Sequence, residues 1–281
     1  MTLAELNSLF RNQLVSMYPS QEVENIFFLT VNFVLKYSKI DIHLNSEKEI
    51  PSYKEKILVN ILSRLNRSEP VQYILGETEF YGLKIKTDPR ALIPRPETEL
   101  LTDIVIKENS DRNSLSIIDL CTGSGCIAIA VSKYLTGSVL TAIEISNSAL
   151  ELAKENASLY QVHINFIKDD ILSPEHHYGK FDIIVSNPPY IRNSEKNIMH
   201  RNVTDYEPEK ALFVEDSDPL IFYRAISYFG KIYLNKGGLI YAEINEVFGK
   251  KVKELFRSAG YKLVKIYKDF NNKDRFIKAK Q

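Results

Sequence analysis

The sequence predicts an α/β protein: an open, largely parallel sheet with crossover helices, preceded by a small helical bundle and a β-hairpin connector. From Leu115 onward, short apolar runs alternate with helix-period stretches, as in a chain of βαβ units. A glycine turn, Gly123-Ser124-Gly125, stands between the first of these strands and its helix. Ahead of them, residues 1 to about 75 repeat apolar side chains at spacings of three and four, with few strand signals.

In the helical region Leu3, Leu6, Leu9, Phe10 and Leu14 mark a first helix. The stretch from Ile26 to Tyr37 marks a second, with Ile26, Leu29, Phe33 and Val34 on one side. Pro51 opens a further helix whose apolar positions are Ile57, Leu58, Ile61, Leu62 and Leu65; proline suits a helix start because its missing N–H is not needed there. About four or five short helices are expected, without a catalytic cluster. Between Val71 and Pro96 the texture changes. Gly76, Gly82, Pro89, Pro94 and Pro96 punctuate short β-like pieces such as Phe80-Tyr81 and Leu83-Lys84-Ile85, which read as a hairpin. The expected division is a helical domain, 1–75, a hairpin linker, 76–96, and the α/β domain, 97–281.

Arg95-Pro96-Glu97-Thr98-Glu99 starts a helix running to about Glu108, with proline in the first turn and two carboxylates at its positive end. Strands are expected at Ser116–Leu120, Val139–Glu144, Ile164–Lys168, Phe181–Ser186 and Gly238–Glu243, then near Lys262–Tyr267 and Arg275–Ala279. The clearest helices between them are Ser148–Leu159, Pro219–Leu234 and Val247–Ser258.

Composition narrows the function. Of 281 residues, 44% are hydrophobic, enough for a substantial core. Lys+Arg and Asp+Glu both total 36, so a general polyanion binder is not indicated. Lys250 to Gln281 is locally basic, read as solvated lysines on a final helix and strands. Cys121 and Cys126 have no CxxC partner, and His176-His177 stands alone in a polar loop, so no metal site is expected. No leader or apolar run of membrane-spanning length appears, which points to the cytoplasm with reduced thiols.

Ile117-Ile118-Asp119-Leu120-Cys121-Thr122-Gly123-Ser124-Gly125-Cys126 is a strand running into a glycine turn and a helix, where backbone N–H groups can approach a ligand closely. The next strand ends in Glu144, about 20 residues on, where a ribose diol is bound in such folds. This pair points to an adenosine-bearing cofactor. NAD competes, since Ala128 fills the third position of a dinucleotide glycine pattern. Against NAD stands the fourth strand, whose tip has no use in hydride transfer. Asp119 could accept from a ligand amine, and S-adenosylmethionine offers an amine and a ribose without phosphates.

That tip is Ser186-Asn187-Pro188-Pro189-Tyr190, after the apolar strand Phe181–Val185. The prolines end the ladder, which holds Asn187 where open α/β sheets bind ligands. Asn187 offers a side-chain carbonyl and Pro188 a backbone carbonyl without an N–H. Two neighbouring acceptors suit a planar NH2 group, and Tyr190 adds an aromatic face. The same Asn-Pro-Pro would also serve as plain loop chemistry after a strand; the upstream cofactor loop favours the functional reading.

With these residues in view, the chain resembles the class I, Rossmann-like methyltransferases that use S-adenosylmethionine. More narrowly, it resembles the bacterial protein-(glutamine-N5) methyltransferases of peptide chain release factors. The resemblance runs through Pro70–Gly76, Glu79–Leu83, Ile93–Glu99, Asp119–Gly125, Asn187–Ile191, Tyr206-Glu207-Pro208 with Ala211-Leu212, and Asp274-Arg275. It implies methyl transfer to the side-chain amide nitrogen of the glutamine in the GGQ motif of release factors, in support of translation termination, with S-adenosylhomocysteine as by-product. It implies Asn187, Pro188 and Tyr190 as catalytic residues, joined by Pro189 in substrate binding. The cofactor set it implies is Asp119, Cys121, Thr122, Gly123, Ser124, Gly125, Glu144, Asp170, Ile171 and Asn187. A monomer without stable nucleic-acid or membrane binding is expected. The departures are Cys121 where the family usually has glycine, Glu144 where aspartate is commoner, and Glu243-Ile244-Asn245 with Phe248 in place of Glu-Ile-Gly with a following glutamine. Asn245 is expected to tolerate the positive φ of that glycine. Two other readings remain: an amino-group methyltransferase on DNA or RNA bases, which share the Asn-Pro-Pro-Tyr tip, and an adaptor that has kept the fold without the chemistry.

Overall fold

The computed structural model describes all 281 residues, which divide into two compact units, Met1–Gly76 with His200–Tyr206, and Glu77–Met199 with Glu207–Gln281. No helix is long and apolar enough to cross a membrane.

The first unit contains α1 (Leu3–Leu14), α2 (Ser20–Leu35), α3 (Lys39–Leu44), α4 (Ser52–Leu65) and α5 (Val71–Leu75). Leu3, Leu6, Phe10 and Leu14 line the buried stripe of α1, where Phe10 meets Phe27 edge to face with ring centroids 5.4 Å apart. On α2 the buried stripe is Val23, Ile26, Phe27, Thr30, Val31 and Leu35, while Leu29 is exposed, a rotation of the face expected from the sequence. The apolar run on α2 is wide enough for two stripes, and packing against Phe10 selects one. Ile57 of α4 is likewise left outside, and Leu58, Ile61, Leu62 and Leu65 are buried.

The second unit opens with β1 (Glu77–Phe80) and β2 (Leu83–Lys86), an antiparallel hairpin turned by Tyr81 and Gly82, both at positive φ. The hairpin is more than the linker expected from the sequence. Phe80, Leu83 and Ile85 lie in one of the two apolar cores of this unit, and the boundary falls at Gly76.

There follow α6 (Pro96–Asn109), β3 (Ser116–Leu120), α7 (Cys126–Tyr134), β4 (Val139–Glu144), α8 (Asn147–Tyr160), β5 (Ile164–Lys168) and β6 (Phe181–Ser186). A short β7 (Ile191–Arg192) leads through a 3-10 turn to the one-turn helices α9 (Arg201–Thr204) and α10 (Glu209–Leu212) and to β8 (Phe213–Val214). The chain ends with α11 (Ile221–Tyr233), β9 (Leu234–Glu243), α12 (Gly249–Ser258), β10 (Leu263–Lys268) and β11 (Asp274–Lys280).

Seven strands form one sheet in the order β10-β11-β9-β6-β3-β4-β5. The five from β9 to β5 are parallel, whereas β11 runs antiparallel between β9 and β10. A short loop joins β10 to β11, leaving no length for the crossover that a parallel pair requires. Both sheet faces are covered, and adjacent residues go to opposite cores. Ile117 and Ile183 face the side carrying α6, α7 and α8, while Ile118 and Ile184 face α11 and α12. This is why the strands read as unbroken apolar runs in the sequence.

Candidate active site

The sheet register brings distant residues to one level. Leu120 pairs with Ile143 on one side and Ser186 on the other, and Ser186 pairs with Ala242. Cys121, Glu144, Asn187 and Glu243 therefore leave the carboxyl edge of four neighbouring strands together. The strand order reverses at β3, and a crevice at such a reversal is where open α/β sheets bind ligands.

The glycine loop is tied to this edge by Thr122 N–H, which donates to Ile143 O at 3.0 Å. Cys121, Gly123 and Gly125 all have positive φ. A Cβ on Gly123 would meet nothing within 4 Å, so this turn opens outward, whereas one on Gly125 would lie 3.1 Å from Ala153 Cβ. Gly125 thus serves the close approach of α7 to α8. Ser124 is buried, and its carbonyl accepts from Asn156, which also exchanges two hydrogen bonds with the Lys86 backbone of the hairpin.

Asp119 is fully buried, and its Oδ2 accepts the Thr122 hydroxyl at 2.6 Å. Burial raises its carboxyl to about 7 against that hydrogen bond. Through Oδ2 it braces the loop from beneath, while Oδ1 takes no hydrogen bond from the chain. Glu144 uses its longer arm to reach back: Oε2 accepts Gly123 N–H and Oε1 accepts Ser146 N–H, both at 3.0 Å. Each carboxylate oxygen has a further lone pair for a diol. Asp170 accepts Leu172 N–H at 2.9 Å, shaping the turn after β5, and Ile171 is buried in the core beside it.

Cys121 sits at φ 62, where a Cβ costs about 1–2 kcal/mol that glycine avoids. Burial pushes its thiol well above the ordinary value, away from the thiolate. Cys121→Gly is expected to leave the melting temperature and cofactor affinity equal or higher. A loss of more than about tenfold in affinity, some 1.4 kcal/mol, would show that the sulfur makes a contact of its own.

At the tip of β6, Asn187 Nδ2 donates to Thr98 Oγ1 at 2.9 Å, and Thr98 donates in turn to Glu243 Oε2 at 2.8 Å. Tyr190 donates to the other Glu243 oxygen at 2.7 Å. Asn187 Oδ1 and the Pro188 carbonyl take no hydrogen bond from the chain. Pro188 and Pro189 are buried, and Asn187 is half-buried. Tyr190 packs against the core with its hydroxyl committed, and Tyr190 N–H donates to Leu212 O. Burial raises the Glu243 carboxyl, opposed by these two hydroxyls and by the charge of Arg275.

Asn245 differs from expectation. Its φ is −65°, so no left-handed backbone is required there. Its side chain caps the following 3-10 turn by accepting Val247 N–H and donates to Tyr190 O at 3.2 Å, a tether that glycine lacks. Phe248 is buried under the Arg192 guanidinium.

Several separated motifs prove to be one assembly. Buried Glu207 accepts from Arg95 and from Ile93 N–H, while Glu99 accepts Tyr81 N–H in the hairpin turn. Arg275 pairs with Asp269 and Glu246 beside the tip. Thr98 and Glu243 were singled out in the sequence only as parts of motifs. Their contact joins residues 98, 187 and 243, a spacing no local pattern encodes.

The family described as methyltransferase small domain matches residues 96–208, and the PrmC N-terminal domain matches residues 13–76. Release factor glutamine methyltransferases from Flavobacterium psychrophilum and Bacteroides thetaiotaomicron are 41% and 40% identical to the chain, covering 99% and 98% of it and equal shares of their own lengths. That from Streptococcus pneumoniae is 39% identical over 99% of the chain and 98% of its own. Among solved structures, a methyltransferase from Pyrococcus furiosus superposes with a TM-score of 0.53 at 17% identity, covering 82% of this chain and 98% of its own. The 16S rRNA N2 G1207 methyltransferase of Thermus thermophilus, in complex with AdoMet and guanosine, gives 0.53 at 14% identity, covering 73% and 49%. At such identities these two show the fold alone.

Proposed function

The chain belongs to the family of release factor glutamine methyltransferases, and from that premise we propose that Asn187, Pro188 and Tyr190 present the glutamine amide of a release factor to the methyl group of S-adenosylmethionine. The observation that carries this reading is the pair of acceptors without chain donors, Asn187 Oδ1 and Pro188 O, beside the glycine loop.

The residues present fit the cofactor. Glu144 would take the ribose hydroxyls, and the open face of Gly123 gives a ligand room at the loop. Thr122, Ser124, Gly125, Cys121 and buried Asp119 would hold the shape of that loop, while Asp170 and Ile171 form the wall after β5. When bound, S-adenosylmethionine supplies the electrophilic methyl group.

An amide nitrogen is a poor nucleophile because its lone pair is delocalised into the carbonyl. Asn187 Oδ1 and Pro188 O would each accept one N–H, fixing the nitrogen and the direction of its lone pair. Tyr190, immobilised through Glu243, would bound the plane of the amide. Such positioning supplies roughly 7–11 kcal/mol in the best model cases. One N–H proton leaves after the new N–C bond forms, so no strong base is required before attack. Unpaired Cys121 and Cys126 fit the reducing cytoplasm this role assigns.

The test is incubation with methyl-labelled S-adenosylmethionine and purified release factors, followed by peptide mapping. Label on one glutamine side chain supports the reading. Label on nucleic acid would move the assignment to a base methyltransferase, and binding without turnover would make the protein an adaptor. Glu144→Ala is expected to weaken S-adenosylmethionine binding about ten- to a hundredfold, the loss of a charged acceptor worth roughly 1.5–3 kcal/mol. Calorimetry showing undiminished affinity would remove Glu144 from the cofactor site, and binding of NAD in place of S-adenosylmethionine would overturn the cofactor assignment.

A further inference from the structure

We propose that Thr98, oriented by Glu243, is a positioning residue that fixes which end of the Asn187 amide faces the substrate. The inference rests on the clamp reading above and deepens it. An asparagine amide is nearly symmetric in shape, and a half-turn about its last bond exchanges a carbonyl acceptor for an NH2 donor. Facing a substrate NH2, the flipped form would oppose donor to donor. Catalysis by this tip therefore needs one flip state, and the tip itself has no means of choosing it.

The choice is made beneath it. Glu243 is buried at the end of β9, and its two oxygens each receive a hydroxyl, Thr98 at 2.8 Å and Tyr190 at 2.7 Å. A hydroxyl has one proton to give. With its proton committed to the carboxylate, Thr98 faces Asn187 with lone pairs only. The 2.9 Å contact from Asn187 can then be made only by the NH2 end, which leaves Oδ1 turned the other way. Thr98 is 2% exposed, so water does not supply a competing donor. The sheet register that sets Glu243 level with Asn187 and the first turn of α6 that carries Thr98 are rigid elements, as a positioning device requires.

A double-mutant cycle on the full-length protein tests this. Thr98→Val keeps the shape and removes the hydroxyl; it is expected to lower kcat for release factor methylation about tenfold or more, with the dissociation constant of S-adenosylmethionine unchanged. Thr98→Ser is expected to restore most of the rate. In an Asn187→Ala background Thr98→Val should cost little further, because the group it orients is gone. Glu243→Gln sets an NH2 against one of the two hydroxyls, so Thr98 or Tyr190 must turn its proton, and kcat is expected to fall with binding retained. If Thr98→Val does not fold by thermal melting, Thr98→Ala takes its place in the cycle. Full multiplication of the two losses, or a Thr98→Val enzyme within about threefold of wild type, some 0.7 kcal/mol, would overturn the proposal while leaving the clamp intact. An unchanged rate for Glu243→Gln would remove Glu243 from the relay. Near wild-type activity of Asn187→Ala alone would instead sink the clamp reading on which the relay depends.

Discussion

Asn187→Ala is expected to lower kcat about thirty- to a thousandfold, because loss of one preorganised hydrogen bond to the reacting group costs about 2–4 kcal/mol in the transition state. Affinity for S-adenosylmethionine should stay within a few-fold, since Glu144 and the glycine loop hold their own contacts without Asn187. The effect should appear in kcat rather than in the KM for release factor, because one amide is a small share of a protein–protein contact. Single-turnover methylation by the purified variant, with cofactor binding measured in parallel, separates the two quantities. A rate within about threefold of wild type would mean that the amide is not held by Asn187.

The second large effect concerns the helical unit. Glutamine amides are abundant, and a clamp of two carbonyls reads only a few atoms, so discrimination must come from surface away from the methyl. A protein beginning at Glu77 keeps the hairpin and its core residues Phe80, Leu83 and Ile85. It loses the partners of residues 200–206: Tyr206 donates to Arg67 O, and the His200 ring meets Met17 O and Tyr18. This protein is expected to bind S-adenosylmethionine but to methylate intact release factor with kcat/KM reduced about a hundredfold or more, equivalent to some 3 kcal/mol of remote binding energy. A short glutamine peptide should be a poor substrate for both forms. Circular dichroism establishes that the shortened chain is folded before the comparison. Equal rates on release factor would assign the helical unit to stability or to another partner.

Across 191–214 the sequence offers motif residues, Tyr206-Glu207-Pro208 with Ala211-Leu212, but no predicted element. The fold supplies a 3-10 turn, two one-turn helices and the small β7-β8 pair, elements too short to have a period. The return of 200–206 to the first unit was not legible at all, since its hydrogen bonds lie with residues such as Met17 and Arg67, far away in the chain.

The elements that bury one face or two against a core are legible in the residue pattern. Strands Ser116–Leu120, Val139–Glu144, Ile164–Lys168 and Phe181–Ser186 stand where their apolar runs predict, and so do the glycine turn and the proline stop after β6. These follow from local chemistry: periodicity, missing donors and the freedom of glycine. Tertiary packing fixes which stripe of α2 is buried, that the hairpin belongs to the second unit, that Asn245 needs no positive φ, and that Asp119 takes the Thr122 hydroxyl. It alone set Thr98 and Glu243 against Asn187. The physical reason is the same in each case. A side chain's partner is fixed by sheet register and helix packing between residues far apart in the chain, and neither leaves a mark in the residues on either side.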